Sequence, residues 1–199
     1  MRSNRTRILT AIVMPVLLFL AACGVNSIPT AQETAKASWA NLQAAYQRRL
    51  DTLPALAQTV TASAGHETGL QVGVAQARTA ATNAQVNPDQ LTDAAAVQRF
   101  AEAQQAVSNL IIRVTNEMPP ENRANENYQS LMNEIERSNN RITVAIRDYN
   151  EAVRAYNTRI RTFPDVIGAR VIYGSQPMVP FQAQSGAETM PTLNVGNGQ

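Results

Sequence analysis

The chain has 199 residues and nearly balanced charges, with 17 basic and 15 acidic side chains. Three of the arginines precede Cys23, so the rest of the chain is close to neutral and lacks the basic surface of a nucleic-acid-binding protein. Glycine and aromatic residues are sparse and alanine is abundant, which favours an all-helical fold over a sheet.

The first 22 residues have the pattern of a bacterial lipoprotein signal peptide. Arginines at positions 2, 5 and 7 precede a largely apolar stretch of 13 residues, Ile8 to Leu20, which is shorter than the ~20 residues that a membrane-spanning helix needs. The Leu-Ala-Ala-Cys junction that ends at Cys23 is similar to a lipobox, in which the cysteine thiol receives a diacylglyceryl group. We therefore expect residues 1–22 to be removed and Cys23 to carry acyl chains such as palmitate, which hold the protein on a bilayer.

Two other interpretations of this segment remain open. Residues 8–25 contain no charge and, although Pro15 interrupts them, approach the length of an uncleaved membrane anchor. The third interpretation is a buried structural cysteine. Cys23 is the only cysteine, which excludes a disulfide framework. If Cys23 is acylated, we expect a membrane-anchored, extracytoplasmic protein. Because Gly24 rather than an aspartate follows the cysteine, we expect it on the periplasmic face of the outer membrane if the cell is Gram-negative.

Apolar residues at intervals of three and four predict four helices within residues 30–164, after a tether of residues 23–29. A capping box, Thr30 to Glu33, starts the first helix, which we expect to continue through Pro54 as one kinked helix rather than as two. The other helices are predicted at about 66–84, 93–117 and 125–163. Because short connections make neighbours antiparallel, this is an all-α, up-and-down four-helix bundle with long first and last helices. Residues 165–199 form a tail, part of which is expected to be disordered.

The apolar stripe of the third predicted helix resembles a coiled-coil seam, and the helix ends give the predicted bundle a register. In the third helix a strict heptad seam would include the polar Gln104, whereas an alternative seam would not. Aligning the start of the first helix with the end of the last one places Asp51 beside Arg141. The same alignment places Trp39 beside Tyr156. We therefore predict an ion pair at the first position and aromatic packing at the second.

Tyr149-Asn150 and Tyr156-Asn157 repeat the same pair one heptad apart on the predicted last helix. Both tyrosines fall on the apolar seam, where each ring is buried and each hydroxyl needs a hydrogen-bond partner. The asparagines fall beside the seam. The favoured interpretation is a polar layer that fixes the register of the bundle, and the alternative is a recognition strip for a partner helix.

Several stretches of the chain resemble the LemA family. They are Asn26-Ser27-Ile28-Pro29 followed by Trp39, Tyr46 to Leu56, Ala124 to Tyr128, Glu134 to Glu136, Asn140-Arg141-Ile142, Tyr149 to Val153, Tyr156-Asn157 and Phe163-Pro164. The second stretch includes Arg48, Arg49, Asp51 and Pro54 and is close to the family pattern YQRRxDLIPNL, from which Thr52, Leu53 and Ala55 depart. The resemblance covers about residues 24–175. It implies a four-helix bundle behind an N-terminal membrane segment, and membrane-bound partners such as a membrane zinc peptidase or a TPM-type protein.

The sequence contains no pattern of catalytic, metal-binding or cofactor-binding residues. His66 is the only histidine, so neither a His-based zinc site nor a catalytic triad can be assembled. For Arg48, Arg49 and the arginines of the last helix, an ordinary solvated surface is favoured over binding of anionic lipid. We therefore expect a non-catalytic, membrane-tethered scaffold or adaptor for envelope proteins, without a cofactor or a nucleic-acid partner. The alternatives are a self-associating membrane-shaping or envelope-stress protein, and an uncleaved single-pass membrane protein of the same family.

Overall fold

The computed structural model describes residues 26–64 and 69–182, and this part of the chain contains α-helices and short 3-10 turns but no β-strand. The α-helices are α1 (Ser27–Ala64), α2 (Leu70–Asn83), α3 (Ala94–Asn116), α4 (Glu126–Arg159) and α5 (Asp165–Val171). The predicted all-α class is therefore confirmed. The predicted signal segment with Cys23, the predicted helix start at His66 and residues 183–199 lie outside the described part.

Side-chain caps start α3 and α4 where the sequence predicts them. The Asp93 carboxylate accepts a hydrogen bond from the backbone N–H of Ala95 at 2.9 Å. The Asn125 side-chain oxygen accepts one from the N–H of Tyr128 at 3.1 Å. Each cap satisfies a donor that has no partner within the helix, which is why short polar residues hold these two positions.

The first helix begins earlier than predicted and is not interrupted. It starts at Ser27, and the Thr30 hydroxyl donates to the carbonyl of Asn26 at 2.8 Å. Thr30 is therefore already inside the first turn, and the predicted capping box at Thr30 is wrong. The helix runs through Pro54 to Ala64, as favoured from the sequence.

The two long helices, α1 and α4, run antiparallel and pack along much of their length. Near the start of α1, the Ser27 hydroxyl donates to Asp165, just beyond the end of α4, at 2.7 Å. Further along, the Ser138 hydroxyl donates to the carbonyl of Ala45 at 3.4 Å. Positions that rise along α1 therefore meet positions that fall along α4.

The shorter helices α2 and α3 cover another side of α1. Two contacts with α1 give the direction of each of these helices. For α2 they are Trp39–Val86 and Asp51–Arg78. For α3 they are Trp39–Phe100 and Arg49–Ser108. Thus α2 runs antiparallel to α1 and α3 runs parallel to it. Since α1 packs against α2, α3 and α4, it forms the centre of the core.

Two groups of buried apolar side chains fill the interior. The group near the start of α1 is rich in aromatic rings and includes Trp39, Tyr46, Phe100, Tyr149, Tyr156 and Phe181. The other group is mainly aliphatic and includes Leu53, Leu56, Val60, Val107, Val114 and Ile135. Gln104 is also buried, so the strict heptad seam of the third helix is the correct one.

The last long helix ends before the predicted position. It stops at Arg159, and the chain then turns into α5, which begins at Asp165. Phe163, which the sequence predicts as the last apolar residue of the helix stripe, is therefore 78% exposed. Among the helices of residues 26–64 and 69–182, none is both long and apolar enough to cross a bilayer.

Candidate binding groove

Residues 176–182 form an extended segment, here called the strap, that lies along α4. Its sequence is Gln-Pro-Met-Val-Pro-Phe-Gln and carries no charge. The strap is joined to α5 by residues 172–175, which include Gly174 with a φ of +56°. A left-handed turn of this kind favours glycine, and it redirects the chain from α5 back along the bundle.

Asn150 and Asn157 of α4 hold the backbone of the strap. The Asn157 side chain donates to the carbonyl of Met178 at 2.8 Å and accepts from the N–H of the same residue at 2.9 Å. The Asn150 side chain makes the same two bonds with Phe181, at 2.9 and 2.8 Å. An amide side chain has both a donor and an acceptor, so each asparagine pairs with one residue as a neighbouring strand would.

The spacing of the two asparagines suits an extended chain. Seven residues of an α-helix rise about 10.5 Å. Three residues of extended or polyproline chain advance by about 9–10 Å. Residues 150 and 157 on the helix therefore match residues 181 and 178 on the strap, and the heptad repeat of Tyr-Asn fixes the register of the bound segment.

The prolines of the strap stand where no backbone donor is needed. The N–H of Val179 donates to the carbonyl of Leu91 at 2.9 Å, and its own carbonyl accepts from the Tyr149 hydroxyl at 2.7 Å. Together with the two bonds to the asparagines, this gives every backbone N–H from 177 to 181 a partner, since the prolines at 177 and 180 have no N–H. The hydrogen bonds of the groove thus go to the backbone of the strap.

Two side chains anchor the strap in the core. Met178 and Phe181 are 4% and 2% exposed. The Phe181 ring lies 6.0–6.1 Å from the rings of Trp39, Tyr46 and Phe100. Phe181 therefore completes an aromatic cluster to which α1 and α3 contribute, at the place where the strap bridges α4 and the start of α3.

The repeated tyrosines of α4 are core residues, as favoured from the sequence. Tyr149 is fully buried and Tyr156 is 2% exposed. Burial raises the pKa of the Tyr149 hydroxyl well above its usual range, so this group stays protonated and donates its hydrogen bond to the strap. The asparagines, however, bind a segment of the same chain, a role that neither sequence interpretation included.

The predicted register of α1 and α4 is wrong by more than one helical turn. Trp39 packs against Tyr149, with ring centroids 5.0 Å apart, and not against Tyr156. The error arises because the end of α4 lies at Arg159, so the last predicted turn of the helix does not exist.

Asp51 and Arg141 do not form the predicted ion pair. Asp51 pairs instead with Arg78 of α2, at 3.6 Å. Arg141 lies with Arg48 and Asn140 along a surface groove between α1 and α4. The alignment of the helix ends was wrong in register, and it does not show that Asp51 faces α2; both caused the error.

Arg49 is buried in the core, although the sequence favours a solvated side chain. It is 1% exposed, and its guanidinium donates to Ser108 Oγ at 3.1 Å, to the Gln104 carbonyl at 3.2 Å and to Gln104 Oε1 at 3.4 Å. It also lies over the Tyr46 ring, 5.1 Å from the centroid. No carboxylate among the described residues pairs with it. Burial lowers the pKa of Arg49 from 12.5 to about 10.

The described residues bring together no set of histidine, cysteine, aspartate or glutamate side chains that could hold a metal ion. The polar side chains that do converge, on the strap, are the Asn150 and Asn157 amides and the Tyr149 hydroxyl. The two amides both donate and accept hydrogen bonds and the hydroxyl donates one, so the groove is suited to pairing with an extended peptide backbone.

Together these features describe an all-helical protein in which α4 holds an extended segment from the C-terminal side of the same chain. The chain belongs to the LemA family: the model of that family matches residues 38–195, which include most of α1, all the later helices and the strap. The resemblance seen in the sequence motifs is thereby confirmed. No curated protein matches the chain.

Proposed function

We propose that this LemA-family protein is a non-catalytic adaptor of the cell envelope: an up-and-down four-helix bundle tethered to a membrane through an acylated Cys23. Its partners are envelope proteins, for which a membrane peptidase and a TPM-type protein are the candidates. The alternating directions of α1 to α4 support the bundle. The observation that carries the tether is an exposed apolar surface at one end of the bundle.

That end is formed by the start of α1, the end of α4 and α5. Besides the bond between Ser27 and Asp165, a Cβ at Gly168 would lie 3.6 Å from Ile28 Cδ1, so α5 packs against the first turn of α1. Cys23 precedes Asn26 by three residues, which span at most about 11 Å. Acyl chains on Cys23 would therefore hold this end of the bundle close to the bilayer.

Apolar side chains are concentrated at the same end. Phe163, Ile167 and Val171 recur every four residues and are 78%, 57% and 79% exposed. With Ile172 and Tyr173 they make up five of the seven large apolar residues that are exposed within the described part of the chain. Exposed apolar residues that cluster in this way are typical of surfaces that contact a membrane or a protein. Their place beside the lipid-bearing end favours the membrane.

The charges around this apolar end suit a bilayer surface. Arg161 and Arg170 are exposed within the same stretch. Arginine near a membrane surface is attracted to anionic headgroups by about 1 kcal/mol per residue. Insertion of the apolar side chains would add to the hold of the acyl chains and fix the orientation of the bundle, with the rest of α1 and α4 directed away from the membrane.

The acylation is tested on the full chain in a bacterial host. Metabolic labelling with a fatty acid and mass spectrometry of the membrane-extracted protein should show two or three acyl chains on an N-terminal Cys23. The Cys23→Ser variant should carry none. An intact N-terminus at Met1, without acyl chains, would contradict the tether and favour the uncleaved anchor.

The orientation is tested with a polarity-sensitive fluorophore on a single introduced thiol. Ile167→Cys is the test variant, and Val144→Cys is the matched control, because Val144 is also exposed, at 48%, but lies in the middle of α4. In vesicles that contain anionic lipid, the emission of the label at position 167 should shift to the blue, and that at position 144 should not. Equal spectra would contradict the proposed contact.

A further inference from the structure

We propose that the groove under the strap is a binding site for an extended segment of a partner protein, and that the strap occupies this site in cis until the partner displaces it. The partner segment is uncharged and has two prolines three positions apart, with phenylalanine directly after the second. This inference deepens the adaptor function proposed above, because it gives the chemistry of the partner.

The groove has the properties of a peptide-binding site. Its polar contacts go to the backbone of the strap, from Asn150, Asn157, Tyr149 and the Leu91 carbonyl. Main-chain bonds give affinity for any extended segment, and pockets for single side chains give selectivity. Here the selective pocket is the aromatic cluster that receives Phe181.

The prolines of the strap suit its place in the groove. Pro177 and Pro180 are exposed and lie beside the three residues whose N–H groups are bonded, so proline at these two positions loses no contact. Proline also favours the extended conformation before binding, so less conformational entropy is lost. The strap carries no charge, which favours a neutral partner segment over an acidic or basic one.

The strap can leave the groove without unfolding a long helix. Residues 171–174 are exposed, and the backbone N–H groups of Ile172, Tyr173 and Ser175 donate to the carbonyls of Gly168 and Ala169 in α5. The left-handed turn at Gly174 provides the position at which the chain direction changes. The strap is thus attached to the bundle through a short connector that α5 holds in place.

Attachment in cis makes the site selective for partners that are concentrated nearby. A short connector keeps the strap at an effective concentration on the order of mM at the groove. A free peptide with a Kd on the order of 1 µM would therefore be excluded about a thousandfold by the strap. A partner on the same membrane also benefits from confinement, so it could compete where a dilute protein could not.

The experiment uses the full chain with Phe181→Ala, which weakens the strap and leaves the groove intact. The probe is a labelled peptide with the sequence of residues 175–183, and binding is followed by fluorescence anisotropy and by the emission of Trp39, the single tryptophan, whose ring lies 6.1 Å from that of Phe181. The peptide should bind this variant at least tenfold more tightly than it binds the unmodified chain.

Two matched controls test the recognition. The peptide with its phenylalanine replaced by alanine should bind at least tenfold more weakly. Adding Asn150→Ala to the Phe181→Ala chain should weaken binding to a similar degree, whereas adding Asn133→Ala, at an exposed asparagine of α4, should not. A peptide that does not bind, or that binds regardless of Asn150, would overturn the proposal.

If Phe181→Ala does not fold, as judged by circular dichroism, a protease site inserted after Gly174 replaces it. The chain is cut after folding, and exchange of the cut strap for the labelled peptide is measured. Exchange that requires Asn150 supports the proposal, and a strap that never exchanges overturns it. Neither result depends on Cys23, so failure here leaves the tests of acylation and of membrane contact unaffected.

Discussion

Replacement of Arg49 by methionine should change the free energy of unfolding by less than about 2 kcal/mol, although the side chain is fully buried. The lowering of its pKa to about 10 corresponds to about 3 kcal/mol that burial costs the charged form. Methionine removes this cost and keeps a similar volume, which is tolerated within about 1.5 kcal/mol in most cores. Against this, Gln104 loses a partner, at about 1–3 kcal/mol.

Replacement of Arg49 by lysine should be worse, with a loss of about 2–4 kcal/mol. Lysine keeps the charge in the core, but its ammonium group cannot donate to Ser108 and Gln104 from one planar fork or lie flat over Tyr46. Arg48→Met is the matched control, since Arg48 is the neighbour of Arg49 in the sequence and its side chain is exposed. This substitution should change the free energy of unfolding by less than about 0.5 kcal/mol.

Denaturant unfolding followed by circular dichroism measures these differences, with the slopes compared to ensure that the unfolded states are equivalent. The folded-state pKa of Arg49 is lowered, so its charge destabilises the fold at every pH below about 10, and this effect is relieved only as the pH rises above about 10. The difference between Arg49→Met and the unmodified chain should therefore be the same at pH 6 and pH 9. A methionine variant that loses 4 kcal/mol or more, beside a tolerated lysine, would refute this reasoning.

Four further substitutions test the packing of the helices by the same measurement. Tyr149→Ala and Tyr156→Ala should each cost about 3–5 kcal/mol, because both rings are buried, and an unchanged free energy of unfolding would mean that they are not core residues. Gly73→Ala should stabilise the chain by about 0.5–1 kcal/mol, since the new Cβ would meet only the movable Leu110 Cδ1, at 3.4 Å; a loss would show that Leu110 cannot shift. Pro54→Ala should stabilise α1 by about 1–3 kcal/mol by restoring a backbone donor, and no gain would mean that the helix is already adapted to the proline.

The helices could be predicted from the sequence because their signals are local. Asp93 and Asn125 mark the starts of α3 and α4, and apolar spacing identifies the buried faces. The burial of Tyr149 and Tyr156 followed from the same periodicity. Each of these features depends on residues within one or two helical turns, where propensity and capping decide the structure.

The binding groove could not be predicted because its two halves are distant in the sequence and one of them looks like a tail. A segment with two prolines and no helical periodicity resembles a disordered region. Its fold depends on Asn150 and Asn157, about 20–30 residues earlier. The signal that was available is the heptad repeat of an amide beside a buried tyrosine, together with prolines three positions apart. Arg49 was misjudged for a similar reason, since its partners Gln104 and Ser108 belong to another helix.

The direction of the strap has a mechanical consequence. Met178 lies beside Asn157 and Phe181 beside Asn150, so the strap runs away from the end of the bundle where α1 begins. If the chain is held at that end and pulled through residue 182 along the helix axis, the two asparagine clamps and the Tyr149 and Leu91 bonds carry the force together, as in shear. A pull across the axis would instead break them one at a time from Phe181. The same contacts would therefore resist a load along the axis far better than a load that peels the strap off sideways.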